Sequence, residues 1–200
     1  MKTLRKSKVL LLAIFICLVF SVSMIYPQGR DSWQQPERVM DAIGVKPGMV
    51  IGELGAGKGY FTFKLARRVG NEGRIFANDI DEEALKFIED QSRNEGIINI
   101  KTILGKVDDP MFPERTMDMV FMSFVFHMLE KPVEMMRNIK PSLKSRATVV
   151  ILEVDPEKRW MGPYPENKKI VELVSKAGYE LDRIETFLSR ANIYIFRQKG

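Results

Sequence analysis

Met49-Val-Ile-Gly-Glu-Leu-Gly-Ala-Gly-Lys-Gly-Tyr-Phe-Thr62 decides the fold of this chain. An apolar strand runs through one acidic residue, Glu53, into three glycines spaced two apart, Gly55, Gly57 and Gly59. Glycine permits the positive φ angles of a tight strand-to-helix turn, and without a Cβ it lets backbone N–H groups approach a ligand closely. The pattern is that of a nucleotide-cofactor loop. Glu53 narrows the ligand, because a carboxylate at the loop repels phosphates and suits cationic or hydroxyl groups.

Three nucleotide-binding patterns compete for this loop, and spacing separates them. The dinucleotide fingerprint G-x-G-x-x-G requires a glycine where the chain has Tyr60. The phosphate loop G-x-x-x-x-G-K-[ST] fits at Gly52, Gly57 and Lys58 but meets Gly59 where a Mg²⁺-binding hydroxyl is needed. The remaining pattern, E-x-G-x-G-x-G, resembles the first motif of the class I S-adenosylmethionine-dependent methyltransferases. The resemblance implies S-adenosyl-L-methionine as cofactor, held by Glu53, Gly55, Gly57 and Gly59.

The following segments extend it. Arg74-Ile-Phe-Ala-Asn78 reads as a second buried strand and ends at Asp79, 20 positions after Gly59. A β-α-β unit with that offset puts a carboxylate at the end of the neighbouring strand, where two ribose hydroxyls can donate to its oxygens. Ile80 is its neighbour in the same cofactor-binding set. Asp79 competes with Asp81 for capping the helix that follows. A third strand spans Ile98 to Leu104, and a fourth Thr116 to Ser123. In similar methyltransferases an acidic residue after the third strand accepts from the adenine amino group. Many relatives have Asp directly after the glycine, where this chain has Lys106, so Asp108 takes the expectation, with Asp109 next. A plain Asp-Asp-Pro turn is the other reading of that segment.

Phe126-His127-Met-Leu-Glu-Lys-Pro132 resembles the segment that relatives carry after the fourth strand, and Pro132 suits the first turn of a helix through Ile139. Relatives then show Lys-Pro-Gly-Gly, whereas Lys140-Pro-Ser-Leu-Lys-Ser-Arg146 has neither glycine and must turn differently. Thr148 to Glu153 reads as a fifth strand and Glu166 to Ala177 as a helix stopped by Gly178. Tyr179 to Phe187 and Asn192 to Phe196 read as a closing antiparallel pair. The expected fold class is α/β and Rossmann-like, with a mostly parallel seven-stranded sheet, a C-terminal antiparallel hairpin and helices on both faces. The likeness covers roughly Trp33 to Arg197.

Two hundred residues at 45 % hydrophobic content suit one α/β domain. The formal charge of +5 does not indicate nucleic acid, since Lys2, Arg5, Lys6 and Lys8 stand ahead of the domain and no acidic residue precedes Asp31. Val9 to Tyr26 is an almost unbroken apolar run behind that basic head, the layout of a secretion signal or an N-terminal membrane anchor. Residues 1–28 are therefore expected to be a signal peptide or anchor, and residues 29–200 the methyltransferase domain, membrane-anchored or exported. The positive-inside rule sets the domain across the membrane from the cytoplasm, where S-adenosylmethionine is made. The one cysteine, Cys17, falls in the apolar run.

Methyl transfer from a sulfonium is an in-line displacement that depends chiefly on holding donor and acceptor together in a water-poor pocket. A base is needed only where the acceptor arrives protonated. The domain has no cysteine, which removes thiolate attack on a pyrimidine, and no Asn/Asp-Pro-Pro-aromatic group for amino methylation of bases. His127, the only histidine, and Glu153, ending the fifth strand, are the catalytic candidates. No metal site is expected. The acceptor is expected to be a small molecule or lipid, such as a quinone. The alternatives are a non-catalytic exported binding module that retains the fold, and a phosphate-loop nucleotide-binding protein.

Overall fold

A computed structural model describes residues 29–158 and 167–199. The apolar run at 9–26 and Glu166 lie outside them. The chain divides into residues 1–34, whose described part carries the short helix α1 (Arg30–Gln34), and residues 35–200.

Its strands are β1 (Val50–Leu54), β2 (Arg74–Asp79), β3 (Ile100–Leu104), β4 (Met117–Ser123), β5 (Leu143–Val154), β6 (Tyr179–Glu185) and β7 (Ala191–Gln198). Its helices are α2 (Pro36–Ile43), α3 (Thr62–Val69), α4 (Glu82–Glu95), α5 (Pro132–Ile139) and α6 (Asn167–Lys176). The sheet order is β3-β2-β1-β4-β5-β7-β6. The first five strands pair in parallel, and β7 lies antiparallel between β5 and β6. This is the expected seven-stranded sheet with its closing hairpin.

Near-continuous apolar strands make both faces of such a sheet sticky, and helices must cover each. Val39, Met40 and Ile43 of α2 with Leu65 and Val69 of α3 pack on the face carrying Ile51, Ile75, Phe121 and Val150. Met135, Met136 and Ile139 of α5 with Ile170 and Val174 of α6 pack on the opposite face, against Val120, Val149, Ile151 and Tyr194. From β1 the chain builds outward to β3, then crosses back to lay β4 on the other side of β1. The crevice between the carboxyl ends of β1 and β4 is the topological switch point, where open α/β sheets bind ligands.

β6 ends two residues earlier than expected and β7 runs two residues further, and two strand starts move by two residues or more. β3 begins at Ile100, not Ile98, because the Asn99 amide donates to Ala66 O and Gly70 O, both at 2.8 Å, and ties the approach to the end of α3. Ile98 is left 77 % exposed. β5 begins at Leu143, five residues early. A 3-10 turn over Lys140–Ser142, closed by Ser142 Oγ donating to Ile139 O at 2.6 Å, does the work of the absent glycines. The pairing with β4 then slips, from Met117↔Leu143 to Met119↔Thr148, through a bulge.

Tyr179 and Tyr194 are fully buried, the first donating to Met136 O at 2.8 Å. Burial raises both phenols, Tyr194 to about 12 and Tyr179 further. Unfolding would return them to ordinary values near 10, so above that pH the unfolded chain binds fewer protons than the native one and stability falls as pH rises. Each is expected to contribute a slope of about 1.4 kcal/mol per pH unit until its folded pKa is reached. Denaturant titrations at pH 9 and 11 check this: equal midpoints would contradict it.

Candidate functional site

Gly55, Gly57 and Gly59 turn the chain from β1 into α3 at φ +69°, +53° and +82°. A Cβ on Gly55 would stand 2.4 Å from Val125 Cγ2, so the loop can pass under the segment after β4 only as glycine. A Cβ on Gly57 would meet nothing within 4 Å, because this residue faces an open cleft. The Gly57 N–H donates to Asp79 Oδ2 at 2.7 Å, and the Asp81 N–H donates to Oδ1 at 3.1 Å. Capping of α4 falls to Asp81, whose Oδ1 accepts from Glu83 N and Ala84 N. Asp79 is thereby released from the helix and fixed beneath the glycine loop. A carboxylate has about four lone-pair sites, so each oxygen keeps acceptor capacity for a hydroxyl.

The cleft has a volume of about 360 Å³. Gly55, Gly57 and Asp79 form one side, while Ile80, Val107 and Met128 bring apolar surface to it. Ile80 and Met128 are each 63 % exposed and Val107 44 %. The residues fit an adenosyl group: apolar side chains for the flat faces of adenine, Asp79 for ribose hydroxyls, and a side chain-free Gly57 where the ligand comes close.

The remaining expected cofactor residues, Glu53, Gly59 and Asp108, are not among those that line the cleft. Glu53 is 3 % exposed and its Oε2 accepts from Thr62 Oγ1 at 2.5 Å, pinning the start of α3 to β1 rather than standing at the cleft mouth. Gly59 packs against α3, with Phe63 Cε2 2.5 Å from where its Cβ would be. Asp108 pairs with Lys131 Nζ at 2.9 Å, which lowers the Asp108 carboxyl below its ordinary value and raises Lys131. Its carbonyl accepts from Asn138 Nδ2 at 2.9 Å. Asp109 closes the turn by accepting from Met111 N at 2.8 Å. Neither carboxylate lines the cleft; Lys106 and Val107 do.

After β4, Phe124 at φ +59° swings the chain into a 3-10 turn, Phe126–Met128, rather than the start of a helix. The turn lays His127 on Glu153. Nδ1 is 3.0 Å from both carboxylate oxygens, and the His127 backbone N–H donates to Oε2 at 3.2 Å. Val154 N donates to Oε1 at 2.9 Å. Glu153 is completely buried, while the imidazole is 24 % exposed. The two catalytic candidates, 26 residues apart, are thus one unit.

A second polar group behind them escaped sequence reasoning. Asp155, 4 % exposed, accepts from Asn192 Nδ2 at 2.9 Å and Asn167 Nδ2 at 3.3 Å. Tyr194 donates to Asn167 Oδ1. Lys158 Nζ donates to Asn192 Oδ1 at 2.6 Å and to the carbonyls of Thr186, Leu188 and Ala191 at 2.8, 3.1 and 3.2 Å. The network locks the end of β5 to α6 and to the entry of β7. Lys158→Met leaves these acceptors without their donor and is expected to lower stability by about 1–3 kcal/mol. A melting curve superimposable on the native one would contradict that role.

A glycine loop over an acid-tipped β2 at the β1/β4 crevice defines a nucleoside-cofactor enzyme of the doubly wound class. The family described as methyltransferase domain matches residues 45–188, and the chain belongs to it. The cofactor of the fold is S-adenosyl-L-methionine. The chain is 29 % identical over 139 residues to the ubiquinone/menaquinone biosynthesis C-methyltransferase UbiE of Escherichia fergusonii, which covers 69 % of this chain and 51 % of the relative. It therefore spans about half the length of that curated relative. Among solved structures, a SAM-dependent methyltransferase from Aquifex aeolicus is similar at a TM-score of 0.75 and 25 % identity, over 80 % of this chain and 88 % of that one. The [4+2]-cyclase SpnF superposes at a TM-score of 0.69 and 13 % identity, over 84 % and 82 % of the two chains, a likeness of fold.

Proposed function

We propose that this chain transfers a methyl group from S-adenosylmethionine to a small, lipophilic acceptor of the quinone type. The observation that carries the reading is Asp79, held by the Gly57 and Asp81 N–H groups at the rim of the cleft. Support for a lipophilic acceptor comes from the exposed apolar side chains of Ile80, Val107 and Met128 at the cleft and from the printed activity of the UbiE relatives. The basic-headed apolar run at residues 9–26 supports a place at a membrane, as an anchor or export signal.

When bound, the cofactor supplies an electrophilic methyl group on a sulfonium. The chain's part is to hold and to exclude. Asp79 fixes the ribose, the glycine loop allows close approach, and the apolar lining limits water, so that donor and acceptor meet in line.

A non-catalytic binding module is the second reading. The fold alone does not set the reaction, since SpnF, similar in fold, is a [4+2]-cyclase. Calorimetry of the full chain separates these readings from a phosphate-loop protein. S-adenosylhomocysteine is expected to bind and ATP–Mg²⁺ is not, since no hydroxyl stands at Gly59 to hold the metal. Binding of ATP–Mg²⁺ with none of S-adenosylhomocysteine would overturn the proposal. Binding of S-adenosylhomocysteine without methyl transfer to any quinol would favour the binding module.

A further inference from the structure

We propose that His127 takes a proton from the acceptor and that Glu153 is its positioning residue, so that the acceptor reacts through an O–H or acidic C–H bond and not through an already neutral amine. The inference rests on the methyltransferase reading and adds the chemical class of the atom methylated.

The geometry carries it. Burying a carboxylate completely is costly unless its charge is matched by donors. Glu153 is buried completely, and its donors are the backbone N–H groups of His127 and Val154 and the imidazole Nδ1 at 3.0 Å from both oxygens. Nδ1 must therefore carry a proton to serve the carboxylate, which assigns the ring's proton exchange to Nε2. A carboxylate that fixes the tautomer of an imidazole, and steadies the cation formed when it gains a proton, is the arrangement of a general base. Location agrees: Val125, Met128 and Leu129, on either side of His127 in sequence, line the cofactor cleft, so the turn that carries the imidazole borders that cleft.

The chemistry of the acceptor follows. A neutral amine attacks with its own lone pair and can release its proton to water afterwards, so a built base gains it little. A phenol, alcohol or carbon acid reacts as its anion and needs the proton removed before or during transfer. The acceptor's O–H or C–H bond breaks, its proton passes to His127 Nε2, and the electron pair left behind forms the bond to the methyl carbon. The pair of the breaking S–C bond stays on sulfur, giving the neutral thioether. The imidazolium is held against Glu153 until it returns the proton to solvent.

The chain's single histidine makes the test direct. Full-length protein labelled with ¹⁵N-histidine, with and without S-adenosylhomocysteine, is expected to show the neutral ring protonated at Nδ1, against the usual preference of free histidine for Nε2. Glu153→Gln is expected to lose that preference while binding S-adenosylhomocysteine as tightly as before. An Nε2-protonated ring in the native chain would overturn the assignment. The second arm offers catechol, hydroquinone, 2,4-pentanedione and aniline with methyl-labelled S-adenosylmethionine. Label is expected in a hydroxyl or carbon acid, with a loss of about 10²–10⁴-fold in His127→Ala. Label in aniline, or a phenol methylated equally well by His127→Ala, would overturn it. No transfer to any acceptor by a chain that binds S-adenosylhomocysteine would also overturn the acceptor assignment and leave the cofactor site standing. Failure to bind S-adenosylhomocysteine would instead overturn the reading beneath it.

Discussion

Asp79→Ala is expected to weaken S-adenosylhomocysteine binding by about 1.5–3 kcal/mol, roughly ten- to a hundredfold in Kd, because hydrogen bonds to an ionised carboxylate carry that weight. Two effects combine. The ribose loses its acceptor, and the Gly57 N–H, 2.7 Å from Oδ2, loses the partner that shapes the loop. The fold should persist, because α4 is capped by Asp81 rather than Asp79. Asp108→Ala is the contrast. That side chain spends its charge on Lys131 at the surface and does not line the cleft, so cofactor affinity should change by less than about 0.5 kcal/mol. A larger loss in Asp108→Ala than in Asp79→Ala, measured by calorimetry on folded variants, would invert the assignment.

Gly55→Ala is expected to be the most destabilising change in the loop. A Cβ there would sit 2.4 Å from Val125 Cγ2 on a backbone at φ +69°. The left-handed conformation costs a side chain about 1–2 kcal/mol, and forcing a methyl into a filled space costs about 1–3 kcal/mol more. Val125 opens the turn that carries His127, so its displacement should also disturb the imidazole. Gly57→Ala bears only the first cost, at φ +53° with no atom within 4 Å, but points its methyl into the cleft. Stability and affinity should therefore separate: Gly55→Ala lowers the melting temperature more, and Gly57→Ala lowers cofactor affinity more. Equal melting temperatures in the two variants would refute the packing argument.

Much of this was legible because it is local. Three glycines after an apolar strand, and an acidic residue one β-α unit later, are short-range patterns, and each ended where a strand ends. What escaped depends on contacts distant in sequence. Nothing near Asp108 reveals that its carboxylate pairs with Lys131, and nothing near Glu53 reveals that its carboxylate accepts from Thr62 inside the core. His127 and Glu153 were each placed at the rim by their strand ends, yet their pairing needed the 3-10 turn that Phe124 initiates. The Asp155 network gathers residues from β5, α6 and β7, whose polar side chains read singly as surface. The long β5 was hidden because Lys144, Ser145 and Arg146 look like a loop, and a bulge lets them sit in a strand with exposed side chains.

Hydrogen exchange of the full chain, with and without S-adenosylhomocysteine, tests the central claim most directly, because it reports where the cofactor sits. Slower exchange is predicted in residues 55–59, 79–81 and 106–107, the backbone around the cleft beneath which Asp79 is held. A different cleft of about 420 Å³ lies between α4 and β3, bounded by Lys86, Glu89, Arg93 and Thr102. Protection there, with residues 55–59 and 79–81 unchanged, would contradict the account.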